Sequence, residues 1–168
     1  MKAGQFAFSL LIVSLLLASS NAFFEDDAYI EILPNITSIG AVATKTDFVA
    51  SILFYANTDR CQYFAPTYIK AADEGHDLIK FYAIDCDKLA ENETDLEKLP
   101  ACKPSNRDSL PLLSFFEPAP TPFDPKSGSF ALPKEHYYQG EANAGDIVQF
   151  GKDLMPAFSK VVQTQQEL

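Results

Sequence analysis

Basic side chains are scarce in this chain: 13 lysines and arginines face 23 aspartates and glutamates, a net charge of −10 at pH 7. Nucleic acids and anionic membranes are bound through clustered Lys and Arg, so neither is an expected partner, and the acidity itself serves solubility. Histidine is rarer still. His76 and His136 are the two copies, neither has ligand spacing around it, and each reads as a solvated loop residue, so no metal is expected. Glycine-rich phosphate loops and a serine triad are also missing, and no cofactor is expected. Beyond the first stretch of the chain, no apolar run approaches the roughly 20 residues that a membrane-spanning helix needs.

That first stretch is informative. Met1-Lys2, an apolar run from Phe6 to Ala18 and the small-residue end Ser20-Asn21-Ala22 have the order of a secretory signal peptide, with cleavage expected after Ala22. Residues 23–168 then remain, enough for a single domain with its own core, and no membrane association is expected after cleavage. Two glycosylation sequons, Asn35-Ile36-Thr37 and Asn92-Glu93-Thr94, are compatible with passage through the secretory lumen. Three cysteines, Cys61, Cys86 and Cys102, permit one disulfide and leave one thiol over; their count does not say which is free.

Along the chain, Tyr29 to Leu33 alternates as a short strand, and Ile36 to Thr46 reads as a weak helix or loop. Phe48 to Ala56 is almost continuously apolar, as a strand covered on both faces should be. From Cys61 the period changes. Cys61, Phe64, Ala65, Tyr68, Ile69 and Ala72 fall on one face of a helix that contains Pro66 and should bend there. Leu78 to Cys86 forms a second buried strand, which completes a strand–helix–strand unit with a right-handed crossover. Lys88 to Leu99 is helix-prone, Leu110 to Phe116 is a third apolar strand, and Glu117 to Lys126 is a proline-rich surface loop. His136 to Gln139 reads as an edge strand. A last helix begins with Asn143 as N-cap and puts Ile147, Phe150, Gly151 and Leu154 inside.

Several segments in this order resemble the protein disulfide isomerase family: Phe54-Tyr55-Ala56; Cys61 followed by Phe64-Ala65-Pro66 and Tyr68; Phe81 to Cys86; Leu110-Pro111-Leu112 with Phe115-Phe116; and Tyr138-Gln139-Gly140-Glu141. The resemblance covers about residues 29–160. It implies an α/β chain with a thioredoxin fold, a central mixed sheet with helices on both faces. Aligned on Ala65-Pro66, Cys61 takes the place of the second cysteine of the family's Cys-x-x-Cys motif and Thr58 that of the first. The first cysteine is the family's nucleophile, and a threonine hydroxyl cannot exchange with a disulfide. Other departures agree. The chain has no tryptophan, one residue fewer separates Ala56 from Cys61, and Leu53 stands where many active members have a buried acid. Thr58-x-x-Cys61 also shares a peroxiredoxin pattern, but Phe54 holds the position of its upstream proline.

The resemblance further implies a cis peptide bond before Pro111, a Cys86–Cys102 disulfide, and a free Cys61 directed toward a peptide-binding groove. Thr58, Asp59, Arg60, Leu110 and Pro111 would form that surface, with Leu110 offering backbone hydrogen bonds to an extended peptide by β-augmentation. The function it implies is a redox-inactive, disulfide-isomerase-like domain of the secretory pathway, in the endoplasmic reticulum lumen or secreted, that binds unfolded or partner polypeptides. The alternative is an enzyme acting through Cys61 alone, by mixed-disulfide exchange or reaction with peroxide, with Arg60 as the sequence-near cation. A third reading leaves Cys61 as a buried apolar helix residue. The terminal Gln165-Gln166-Glu167-Leu168 shares its last two residues with the Lys-Asp-Glu-Leu retrieval signal and equally reads as a helical tail.

Overall fold

A computed structural model describes residues 23–24, 26–43, 47–89, 99–118 and 134–155. The expected signal segment, Asn92, most of the proline-rich loop and the C-terminal tail lie outside them. Strand β1 (Ile30–Ile32) leads into helix α1 (Ile36–Ala43), followed by β2 (Val49–Tyr55), α2 (Asp59–Gly75), β3 (Ile79–Asp85) and the single turn α3 (Cys86–Leu89). Two 3-10 turns (Pro100–Cys102 and Pro104–Ser109) precede β4 (Leu112–Phe116), β5 (Glu135–Tyr137) and α4 (Ala144–Asp153). The sheet order is β1-β3-β2-β4-β5. β3 is parallel to both β1 and β2, while β4 runs antiparallel to β2 and to β5.

The near-continuous apolar run of β2 is explained by its place in the sheet. It lies between β3 and β4, and all seven of its residues are buried. On one face, Ser51 meets Tyr68 of α2, and Phe115, the register partner of Ser51, packs edge-on against Phe150 of α4. On the other face Phe54, Leu112 and Phe116 share a cavity lining with Ile36 and Ile39 of α1. Helix α4 lies close against the sheet. A β-carbon added at Gly151 would collide with Ile79 and Phe115, so the absence of a side chain there sets the approach.

Three elements differ from expectation for identifiable reasons. Helix α2 begins at Asp59, two residues before its apolar stripe, because Thr58 caps it. It then runs through Pro66, which sits on the exposed side, as far as Gly75. The edge strand spans Glu135–Tyr137 and not His136 to Gln139: Glu117 N–H bonds Lys134 O, and beyond Tyr137 the chain turns so that Tyr138 OH reaches Glu141 O. Of the expected Lys88–Leu99 helix, Lys88 and Leu89 close α3, and residues 90–98 lie outside the described residues.

Candidate functional site

The site is built where the buried strand β2 gives way to α2. Thr58 is extended (φ −128°, ψ 155°), and its Oγ1 accepts the Cys61 N–H at 3.3 Å. It is thus the N-cap of α2, an interaction worth about 1 kcal/mol. Sequence reasoning placed the helix start at Cys61 because the apolar periodicity begins there; a threonine three residues upstream was the signal for the cap. The cap leaves the Cys61 thiol inside. Cys61 is 3% exposed, and its Sγ accepts the Ala56 N–H at 3.5 Å. This corrects the expectation that Cys61 faces a groove: the first turn of α2 points it at the end of β2. Leu53, where an acid was absent from the sequence, is buried on the α2 side of the sheet. The polar group beneath α2 is instead the Tyr68 hydroxyl, which donates toward Tyr82 O at 2.9 Å and Ser51 O at 3.1 Å and receives the Ser51 hydroxyl. Burial pushes this phenol well above its ordinary pKa, with the Ser51 hydrogen bond opposing.

A second chain segment is fastened beside the junction. Cys86 and Cys102 form a disulfide with their Cα atoms 5.0 Å apart, and Cys61 is free. At a sequence separation of 16, such a crosslink stabilises by about 3 kcal/mol in the chain-entropy model. Arg107 forks onto both carboxylate oxygens of Asp87, and its Nη2 lies 3.5 Å from Asn57 O. Asn57 N–H completes the ring by donating to Asp87 Oδ2 at 2.8 Å. The hydrogen bond to Asp87 is the main cause raising the Arg107 pKa. Arg60, the cation expected to serve Cys61, instead donates to Asp108 O at 2.7 Å.

These ties hold the approach to the Leu110-Pro111 peptide bond, which is cis. Leu110 does not offer the surface expected of it. It is 2% exposed, and its N–H already donates to Arg107 O at 3.2 Å, closing the 3-10 turn. Pro111 does reach the surface, where it lines a groove of about 520 Å³. One wall is Asp59, Arg60, Tyr63 and Phe64 from α2; Pro111 and Leu113 lie along the middle, and Tyr138 to Gly140 with Ala142 form the far wall. Asp59, Arg60 and Pro111 are therefore brought together, whereas Thr58 and Leu110 are not part of the lining. Tyr63 and Tyr138 were missed. Tyr63 is 80% exposed, and its signal was an aromatic lying off the buried stripe of an amphipathic helix.

No protein-family model matches this chain, and no curated protein matches it. Solved structures do. A fragment of ERdj5 spanning its J and first thioredoxin domains superposes with a TM-score of 0.54 at 20% identity, over 78% of this chain and 54% of the fragment. Chloroplastic thioredoxin z gives 0.53 at 16% identity, over 76% and 95% of the two chains. Zinc-bound human ERp44 gives 0.50 at 18% identity, covering 74% of this chain and 30% of that one. The chain has a thioredoxin fold. This chain corresponds to about half of the ERdj5 fragment and less than a third of ERp44, and the likeness concerns architecture.

Within the thioredoxin fold, both histidines depart from the solvated-loop expectation. His136 lies on β5 opposite Phe115, and its Nε2 is 2.6 Å from Glu117 Oε1. His76 caps the end of α2 and stacks on Tyr29 with ring centroids 3.9 Å apart. Both pairings arise from tertiary adjacency that residue spacing does not encode. Among the described residues, no group of three potential ligands is placed to hold a metal ion. Asn35 of the first sequon is exposed and accepts from Ser38 N–H and Oγ through Oδ1, which is not the atom that carries a glycan.

Proposed function

We propose that this chain is a redox-inactive, disulfide-isomerase-like domain of the secretory pathway that binds segments of unfolded or partner polypeptides. The observation carrying this reading is the first turn of α2: Thr58 Oγ1 is engaged as a cap where a nucleophilic sulfur would stand, and the remaining thiol is buried. Dithiol exchange requires an attacking thiolate at the surface and a second sulfur to resolve the mixed disulfide. Neither condition is supported by Thr58 and Cys61. The groove beside Pro111 stays open and presents aromatic side chains with few rotatable bonds, the kind that anchors polypeptides at modest entropic cost.

Insulin reduction by the purified protein tests the redox part directly, with the Thr58→Cys variant alongside. The unmodified protein is expected to show no turnover above the reductant alone, and turnover would overturn the proposal. Peptide binding is tested by fluorescence polarisation against labelled extended peptides, with Tyr63→Ala and Pro111→Ala together expected to abolish it. Binding unchanged in that double variant would place the surface elsewhere.

A further inference from the structure

Asn35 stands between β1 and α1, and its side-chain amide is engaged through one atom. Oδ1 accepts from the Ser38 N–H and from the Ser38 hydroxyl, both at 3.0 Å. Ser38 is the third residue of a helix that begins at Ile36, so Asn35 is the N-cap of α1. The amide nitrogen shares one planar carbon with that oxygen, and an oxygen turned onto the helix carries the nitrogen away from it. Asn35 and Thr37 are both exposed. They are the two ends of Asn35-Ile36-Thr37, an asparagine followed two residues later by a hydroxyl with no proline between, which is the acceptor pattern for an N-linked sugar. None of the groove residues comes from α1.

Resting on the secretory part of the proposed function, we propose that Nδ2 of Asn35 carries an N-linked oligosaccharide while Oδ1 of the same side chain continues to cap α1. The donor is an oligosaccharide held on a lipid pyrophosphate. Nδ2 bonds to the anomeric carbon, the bond from that carbon to the pyrophosphate oxygen breaks, one proton leaves the nitrogen, and the lipid pyrophosphate departs. No oxidant or reductant takes part. The product amide keeps its carbonyl oxygen and one N–H. Cap and glycan therefore use different atoms of one side chain and do not compete. A serine, threonine or aspartate in the same place would cap the helix equally well and offer no nitrogen to the sugar. Folding then fixes Oδ1 on Ser38 and holds the sugar-bearing nitrogen toward solvent, where a bulky modification is accommodated.

The test is made on the full chain expressed in cultured eukaryotic cells. Lys45 is the first lysine or arginine after Ala22, so one tryptic peptide, Phe23 to Lys45, reports both signal cleavage and Asn35. That peptide is expected to carry a glycan that peptide N-glycosidase removes, leaving aspartate at position 35. Thr37→Ala should abolish the modification, and Thr37→Ser should retain it. A peptide that begins at Phe23 with Asn35 unmodified would overturn this inference and leave the secretory reading standing. An unmodified peptide still joined to the residues before Phe23 would overturn both. The cap is read by comparing Asn35→Ala with Thr37→Ala, since both lack this sugar and only the second keeps the Asn35 oxygen. Asn35→Ala should melt at the lower temperature, and equal melting temperatures would overturn the double role of the side chain.

Discussion

The first three turns of α2 have an inner and an outer side, and the two have opposite characters. The inner side carries Cys61, Ala65 and Tyr68, each buried, with the thiol and the phenol held by hydrogen bonds to the backbone of β2 and β3. The outer side carries Asp59, Arg60 and Tyr63, all exposed, and these form one wall of the groove. A single helix thus divides the residues by role. The buried ones contribute packing, and the exposed ones line the groove. What the difference teaches is that one helix can bury a thiol and a phenol against the sheet while its opposite side lines an open groove, so the two sides can be altered separately.

Substitutions on the two sides should therefore separate stability from binding. The largest effect is expected from Tyr68→Ala, which removes a fully buried ring contacting Phe24 and Phe81 and should cost about 3–5 kcal/mol in urea denaturation. Tyr68→Phe keeps the ring and leaves Ser51 Oγ and the Tyr82 carbonyl short of a partner, at about 1–3 kcal/mol. The same residue predicts an alkaline limb. The folded state holds the Tyr68 proton at a pH where the unfolded chain releases it. The stabilisation is complete below pH 10, the ordinary tyrosine value, and is lost as pH rises toward the elevated folded value, at up to about 1.4 kcal/mol per pH unit. Denaturation midpoints at pH 9 and pH 11 should diverge more in the unmodified protein than in Tyr68→Phe, and equal divergence would show that other groups set the alkaline limb.

Thr58→Ala comes next, at about 1 kcal/mol for the lost cap; it should also speed alkylation of Cys61 by letting the first turn fray, as read by thiol labelling under native conditions. The smallest stability effect belongs to the outer side. Tyr63→Ala should change stability by no more than about 0.5 kcal/mol while weakening peptide binding about tenfold, as aromatic anchors do. A large loss of stability from Tyr63→Ala, or none from Tyr68→Ala, would break the division between the two sides.

Much of the fold could be read from residue order, because β2, α2 and β3 have strong and different periodicities and Asn143 caps α4 as its position implied, its Oδ1 accepting the Asp146 N–H. The site was less legible. Asp59, Arg60 and Pro111 were identified as surface, but the inward direction of Cys61 depends on a cap that starts the helix two residues before its stripe. The Arg107–Asp87 fork joins positions 20 residues apart, and the Arg60–Asp108 contact joins positions 48 apart. Such pairs form only when the sheet brings separate loops to one edge, and no local pattern announces them. Leu110 was misjudged for a related reason: a 3-10 turn, invisible to hydrophobic periodicity, consumes its N–H.

The walls of the groove come from residues 59–64, from Pro111 and Leu113, and from the stretch 138–142. They become neighbours only after β4 has docked against β2 and β5 against β4. An unfolded copy of this chain consequently has no binding site at all, so any ligand of the groove must shift the unfolding equilibrium by mass action. A peptide present at a hundred times its dissociation constant would add about 2.7 kcal/mol to the native state. Thermal melting therefore becomes a label-free gauge of occupancy, and a client segment would protect the very domain that holds it.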